Sequence, residues 1–304
     1  MYFLRRIVFL IPLLLIISMI AFTLVRIAPG GPFDKERAPA SPEIERNLKA
    51  KYNLDKSLPE QYAIWLGGVL RGDFGPSLKY RSHDVTDIIA NGLPVTLTLG
   101  GLAFGFALGV GIPIGFITAV KKGRWEDHFG STLAILAICI PALVIGPILV
   151  MLFAVRWKLF PVALVGTPLH LVLPTITLGL FFAGRVARLM REGMLGVLDA
   201  EFITAARARG VAERDILLRH AFRTAVLPVI SYAGPLLADL MIGSFVVEQL
   251  FRIPGIGVFL VNSSLNRDYT MLVSLVLLYA VLLLVANLVV DLAYSILDPR
   301  VKLT

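Results

Sequence analysis

Six long apolar runs, near 7–27, 93–119, 129–154, 169–189, 227–250 and 271–293, constrain this chain more than any other feature. A helix needs about 20 residues to cross a hydrocarbon layer of roughly 30 Å, and each run reaches that length. The runs predict an all-α, polytopic membrane protein with six transmembrane helices, forming one membrane domain over 1–304. Composition agrees: 57% of residues are hydrophobic and 16% charged, against about 25% charged in soluble domains. With a mean hydropathy of +0.80, this excludes a disordered chain and an ordinary soluble domain. The stretch Ile7 to Val25 is free of charge and exceeds the roughly 7–15 residues of a signal-peptide core, so it is expected to be an anchor helix. Arg26 at its far end can snorkel toward headgroups.

The basic residues give the orientation. With the amino terminus inside, one face carries fifteen Lys and Arg residues, eight of them in 185–226, and the other carries five outside the 28–92 segment. Loops longer than about 60 residues are poor topology signals, so 28–92, with nine basic and nine acidic residues, is set aside. The positive-inside rule then places both termini and 190–226 in the cytoplasm, and 28–92 and 251–270 outside. The net charge of +8 largely reflects this asymmetry and needs no nucleic acid to explain it. The 28–92 segment contains two predicted helices. One starts at Ser41-Pro42-Glu43 and ends at Asn53; the other covers Leu58 to Leu70, with Tyr62 and Trp65 as interfacial aromatics. Gly72-Asp73-Phe74-Gly75-Pro76 follows as turns. Asp291, Tyr294, Asp298, Pro299 and Arg300 are expected to organise the last membrane exit.

Within the membrane, Gly101, Gly105 and Gly109, then Gly111 and Gly115, recur four apart, forming a shallow strip that permits close helix approach. Pro113, Pro141, Pro147, Pro174 and Pro235 can bend their helices, which is tolerable where freed carbonyls face protein or a cavity. Asp239, mid-span, is the best polar-pathway candidate, with a buried packing contact as the alternative. Glu248 lies near the outer end of the same run.

The 190–226 segment is the most informative. Asp199 is expected to cap a short helix in which Glu201 favours the positive end and Arg207 and Arg209 the negative end. Gly210 can reverse the chain in a left-handed conformation, and a second helix leads to Pro228. Phe202, Ala205, Ala206 and Arg209 fall on one side of the first helix, as a docking surface of small residues, an apolar knob and oriented donors.

Glu201, Ala205-Ala206 and Gly210, leading to Leu227-Pro228, resemble the cytoplasmic coupling loop of the membrane subunits of binding-protein-dependent ABC importers. An isoleucine and a threonine stand between Phe202 and Ala205, a departure from the simplest Glu-Ala-Ala form. Further segments are similar in the same order: Arg26-Ile27-Ala28-Pro29-Gly30, Gly72 to Ser77, Glu248 through Gly257, Leu265-Asn266-Arg267-Asp268-Tyr269 and Leu297-Asp298-Pro299-Arg300. Together they resemble the first permease subunit of oligopeptide transporters, with dipeptide and nickel relatives. The resemblance implies that Asp199, Glu201, Phe202, Ala205, Ala206, Arg207, Arg209 and Gly210 dock on a cytoplasmic ATPase, and that Pro254, Gly255 and Gly257 lie beside the translocation opening with Glu248. It also implies a second homologous permease subunit, two cytoplasmic ABC ATPase subunits, an extracytoplasmic peptide-binding protein and a peptide substrate, in a prokaryotic inner membrane.

No catalytic, cofactor or metal site is expected in this chain. The phosphate-binding Gly-x-x-x-x-Gly-Lys-Ser/Thr is missing, so ATP and Mg would belong to the partner ATPases. His83, His128, His170 and His220 lack ligand spacing, and Cys139 stands alone. The predicted role is a non-catalytic importer permease working by alternating access. A passive channel, a membrane scaffold and an intramembrane enzyme are the competing classes.

Overall fold

The computed structural model describes residues 2–27, 50, 52–80, 83–163, 166–242 and 245–297, with side chains placed between 8 and 289. Helix follows helix: α1 (Tyr2–Ile27), α2 (Leu58–Val69), α3 (Val85–Val120), α4 (Trp125–Cys139), α5 (Ala142–Arg156) and a 3-10 turn leading into α6 (Val172–Leu198). Then come α7 (Glu201–Ala208), α8 (Glu213–Ala225), α9 (Leu227–Met241), α10 (Phe245–Leu250), α11 (Ile256–Asn266) and α12 (Tyr269–Leu297). Four spans, Val8–Ile27, Val85–Val120, Pro168–Leu198 and Tyr269–Val289, are long and apolar enough to cross a membrane; the number rises to six if each of two bent pairs is one crossing. The apolar excess is spent on the outside: Val8, Phe9, Ile16, Met19 and Leu24 of α1 are all exposed, as a lipid-facing helix requires.

The third apolar run is not one straight helix. α4 and α5 meet at 109°, because Pro141 has no N–H to continue α4 and forces Ile140 into an extended conformation (φ −87°, ψ 119°). The Pro141 carbonyl then accepts from Val144 and Ile145 N–H, starting α5 afresh. The fifth run is likewise divided into α9 and α10, and α8 enters α9 at 46°. The predicted helix from Ser41 lies outside the described residues except near its end, where Asn53 takes the left-handed φ of 53°. The side chain of Asp291 and residues 298–304 also lie outside them.

The chain divides into two compact units. The first comprises Met1–Val95 and Gly255–Leu284. In it, Ser57 and Glu60 form a capping box that starts α2. Tyr62 meets buried Phe22 of α1 edge-on and Trp65 meets it at a tilt, at 5.2 and 5.7 Å between ring centroids. Gly72 and Gly75 adopt positive φ and turn the chain back toward α3. Buried Asp268, just before α12, accepts hydrogen bonds from the Ser77 hydroxyl and from the Leu78, Lys79 and Met271 N–H groups.

The second unit comprises Thr96–Pro254 and Val285–Leu303, and α6 is its centre. Met190 and Met194 of α6 are fully buried with Ile203, Ile216, Leu236 and Leu240. The glycine strip splits in two. Gly111 and Gly115 lie so close to α6 that a Cβ on either would collide with the Ala183 or Ala187 carbonyl, whereas a Cβ on Gly101, Gly105 or Gly109 would meet open space. The reason is angular: the two-residue step from Gly109 to Gly111 turns about 200° around a helix of 3.6 residues per turn, so the halves face opposite ways. Among the described residues, only the Gly111–Gly115 half of the strip makes close helix contact.

Candidate coupling loop and pathway residues

α7, a tight turn and α8 form a helix–turn–helix between α6 and α9. The turn is a Schellman motif: Val211 N–H donates to the Ala206 carbonyl and Gly210 N–H to the Arg207 carbonyl, with Gly210 left-handed at φ +78°. A Cβ at Gly210 would touch nothing, so the glycine is required by the backbone alone. Across the turn, Arg207 donates to both carboxylate oxygens of Glu213, at 3.2 and 2.9 Å. This pairing holds the Glu213 carboxyl below its ordinary range and the Arg207 guanidinium above its own.

The two faces of α7 divide differently from the expected one. Ile203 and Ala206 are buried in the α6 core, three residues apart and so on one face. Glu201, Phe202, Ala205, Arg207, Arg209 and Gly210 are exposed. Ala206 therefore anchors the loop rather than lining the outer surface with Ala205. Asp199 does not cap α7: it ends α6, and Ala200 holds the N-cap position without a side-chain bond. The link between the helices is too short for Asp199 to serve both. Leu218 of α8, exposed at 50%, was not among the expected docking residues, and among the several apolar residues of α8 the sequence does not single it out.

The loop is tied to the rest of its unit through α6. Arg191 donates to both oxygens of buried Asp127 at the start of α4, at 2.9 and 3.0 Å, and Gly123 N–H and the Ser131 hydroxyl complete the carboxylate's shell. A bidentate pair of this kind fixes orientation as well as distance.

The proposed pathway residues differ in their burial. Asp239 is exposed on α9, on the face that carries Ser231 and Pro235, spaced four apart. Glu248 is fully buried, and the Thr96 hydroxyl donates to it at 2.8 Å. Pro254 is exposed, while Gly255 and Gly257 are buried at the start of α11. Arg185, Arg188 and Glu192 of α6 and Tyr232 of α9, with Ile138 and Leu189, line an open recess of about 360 Å³ within the second unit. The Arg185 guanidinium lies over the Phe181 ring at 4.8 Å. The sequence reading treated the 185–226 basic residues as an orientation signal and missed this recess.

The described residues form a multispanning helical chain with a helix–turn–helix between two of its spans. Residues 111–303 match the family described as binding-protein-dependent transport system inner membrane component, and residues 1–100 match the N-terminal part of such membrane components. The chain belongs to this family of inner membrane transport components. It is 38% identical over 300 residues to the oligopeptide transport system permease protein OppB of Haemophilus influenzae, covering 98% of each chain. It is 39% identical over 303 residues to OppB of Escherichia coli K12, covering 99% of each. To the dipeptide transport system permease protein DppB of Bacillus subtilis it is 38% identical over 302 residues, covering 99% of this chain and 98% of that one. The MetNI methionine ABC transporter in an inward-facing conformation shares the fold, with a TM-score of 0.58, 17% identity, and coverage of 69% of this chain and 96% of that one.

Proposed function

We propose that the chain is a permease subunit of an ATP-driven importer for short peptides, oligopeptides first and dipeptides as the second reading. The observation that carries this is the built form of 201–226. Ile203 and Ala206 lock α7 onto α6, while Phe202, Ala205 and Arg209 stay exposed, so a force applied to the outer face reaches a membrane-spanning helix through packed side chains. The near-equal similarity to oligopeptide and dipeptide permeases supports the substrate class and leaves both lengths open.

In this reading two cytoplasmic ATPases bind ATP and Mg, and one docks on the α7 surface with Glu201 and Arg209 at its polar edge. A second permease subunit completes the route, and an extracytoplasmic binding protein delivers the peptide. The excess of basic residues in 185–226 supports a cytoplasmic loop and cytoplasmic termini. Asp239, exposed near the end of α9, is the pathway residue of choice, since an ionisable group within a crossing needs a polar route or a partner. Glu248, buried against Thr96, is the structural member of the pair. Pro254, Gly255 and Gly257 frame the outer opening through backbone shape.

Reconstitution with the candidate partners tests the proposal. Concentrative peptide uptake that requires ATP is the expected result. Downhill flux without ATPases makes the chain a channel, and product formation from a membrane-bound substrate makes it an enzyme; either overturns the reading.

A further inference from the structure

The recess between α6 and α9 carries more charge than it neutralises. Arg185, Arg188 and Glu192 line it from one exposed face of α6, while Val186, Met190 and Met194 on the other side of the helix are buried in the core. Arg188 meets Glu192 at 3.7 Å. With two guanidiniums against one carboxylate, the recess keeps a single positive charge, at Arg185.

Arg185 is positioned but not satisfied. Its guanidinium lies over the Phe181 ring at 4.8 Å, and its Nη1 reaches the Tyr232 hydroxyl at 3.5 Å, the long limit for a hydrogen bond. No carboxylate pairs with it among the described residues. A guanidinium carries five N–H donors in a planar fork, so most of them are left for a ligand, and the exposed side chain puts them within a ligand's reach. Arg185 also lies inside the candidate span Pro168–Leu198, about 20 Å along α6 from Val172. A charge at that depth faces a polar route or a partner rather than lipid.

Asp239 supplies the opposite charge. It follows Tyr232 on α9 by seven residues, which is nearly two turns, so it shares the Tyr232 face about 10 Å further from the 201–226 loop. It is exposed, as is Pro235 between them. An extended peptide advances about 3.3–3.6 Å per residue, so about three residues cover that gap. A terminal carboxylate matches the guanidinium fork with its two oxygens, and a terminal ammonium matches a carboxylate. We propose that this face of α6 and α9 holds a peptide of about three residues in transit, its terminal carboxylate on Arg185 and its terminal ammonium on Asp239. The proposal rests on the peptide-importer reading and adds to it that both ends of the peptide must be free.

Two measurements on the reconstituted complex keep the proposal apart from that reading. ATP-dependent uptake of trialanine tests the importer reading, and its absence removes both. Calorimetric titration tests the proposal, using both permease subunits with their ATPases in phosphatidylcholine nanodiscs, without nucleotide or binding protein. Trialanine is expected to bind saturably, and its C-terminal amide and its N-acetyl form each about tenfold more weakly, the worth of a hydrogen bond to a charged group. Arg185→Gln should make trialanine bind no better than its amide while N-acetylation still weakens binding. Asp239→Asn should do the converse. A merely structural role for either residue does not produce this crossed pattern. The proposal is overturned if a complex that imports trialanine gives no saturable heat, or if both variants distinguish the blocked ends as the wild type does. It is also overturned if Arg185→Gln fails to assemble with the second permease subunit, which would make Arg185 a subunit contact.

Discussion

Arg191 grips Asp127 with two parallel hydrogen bonds, joining the start of α4 to the C-terminal part of the helix that feeds the 201–226 loop. Asp127 is 4% exposed, so its charge is compensated by protein and not by water. Asp127→Ala leaves Arg191 without its partner. Removing one partner of a buried pair costs about 3–5 kcal/mol, and the lower end applies because the Arg191 side chain is 29% exposed. Thermal unfolding of the purified chain in detergent should show the loss, and replacing both residues by apolar ones should recover part of it.

Gly210 makes a second prediction with a clear rank order. Its φ of +78° suits glycine, is tolerated by asparagine and opposes β-branched residues. Gly210→Asn should be nearly neutral, Gly210→Ala should cost about 1–2 kcal/mol, and Gly210→Val more. Because no neighbour occupies the Cβ position, an Ala variant as stable as the glycine would show that backbone strain is not present at this turn. Protease susceptibility of the loop measures the order.

The Arg207–Glu213 pair sets a pH dependence. Glu213 titrates lower when folded because Arg207 donates to it, so its contribution is complete above the ordinary glutamate range of about 4.3 and is lost as pH falls through the depressed folded value. The loop should loosen at acid pH and remain unchanged between neutral and mildly alkaline pH. Hydrogen exchange at the 207–213 amides, compared between wild type and Glu213→Gln, checks this: the variant should lack the acid step.

How far these features were legible beforehand depends on their range in sequence. The apolar runs, the Asn53 and Gly210 turns and the α2 start are local signals, readable from residue type and spacing. Pro141 announced a break but not its 109° angle, which depends on what α4 and α5 pack against. The pairs that tie the units internally, Thr96 with Glu248, Asp127 with Arg191 and Ser77 with Asp268, join residues 152, 64 and 191 positions apart. Periodicity carries no information about such pairings. Ala206 shows a subtler limit: on a helix as short as α7, Ala205 and Ala206 are both plausible inward residues, and only the position of Ile203 in the α6 core decides between them.

Thr96 and Glu248 give a fourth prediction. Thr96→Val keeps the shape of the side chain but removes the donor at 2.8 Å, and should cost about 1–3 kcal/mol, as leaving a buried acceptor short of a partner does. Thr96→Ser should retain most of the stability. Unfolding midpoints of the two variants, measured side by side, separate the hydrogen bond from packing.

The central claim is that the exposed face of α7 receives the force of a partner's nucleotide cycle. The most direct measurement is ATP-dependent peptide uptake in proteoliposomes carrying Phe202→Asp or Ala205→Glu, with assembly checked by unfolding midpoint. Both positions are exposed, so the account predicts a normally folded subunit with uptake reduced at least tenfold. Full uptake in both variants contradicts it.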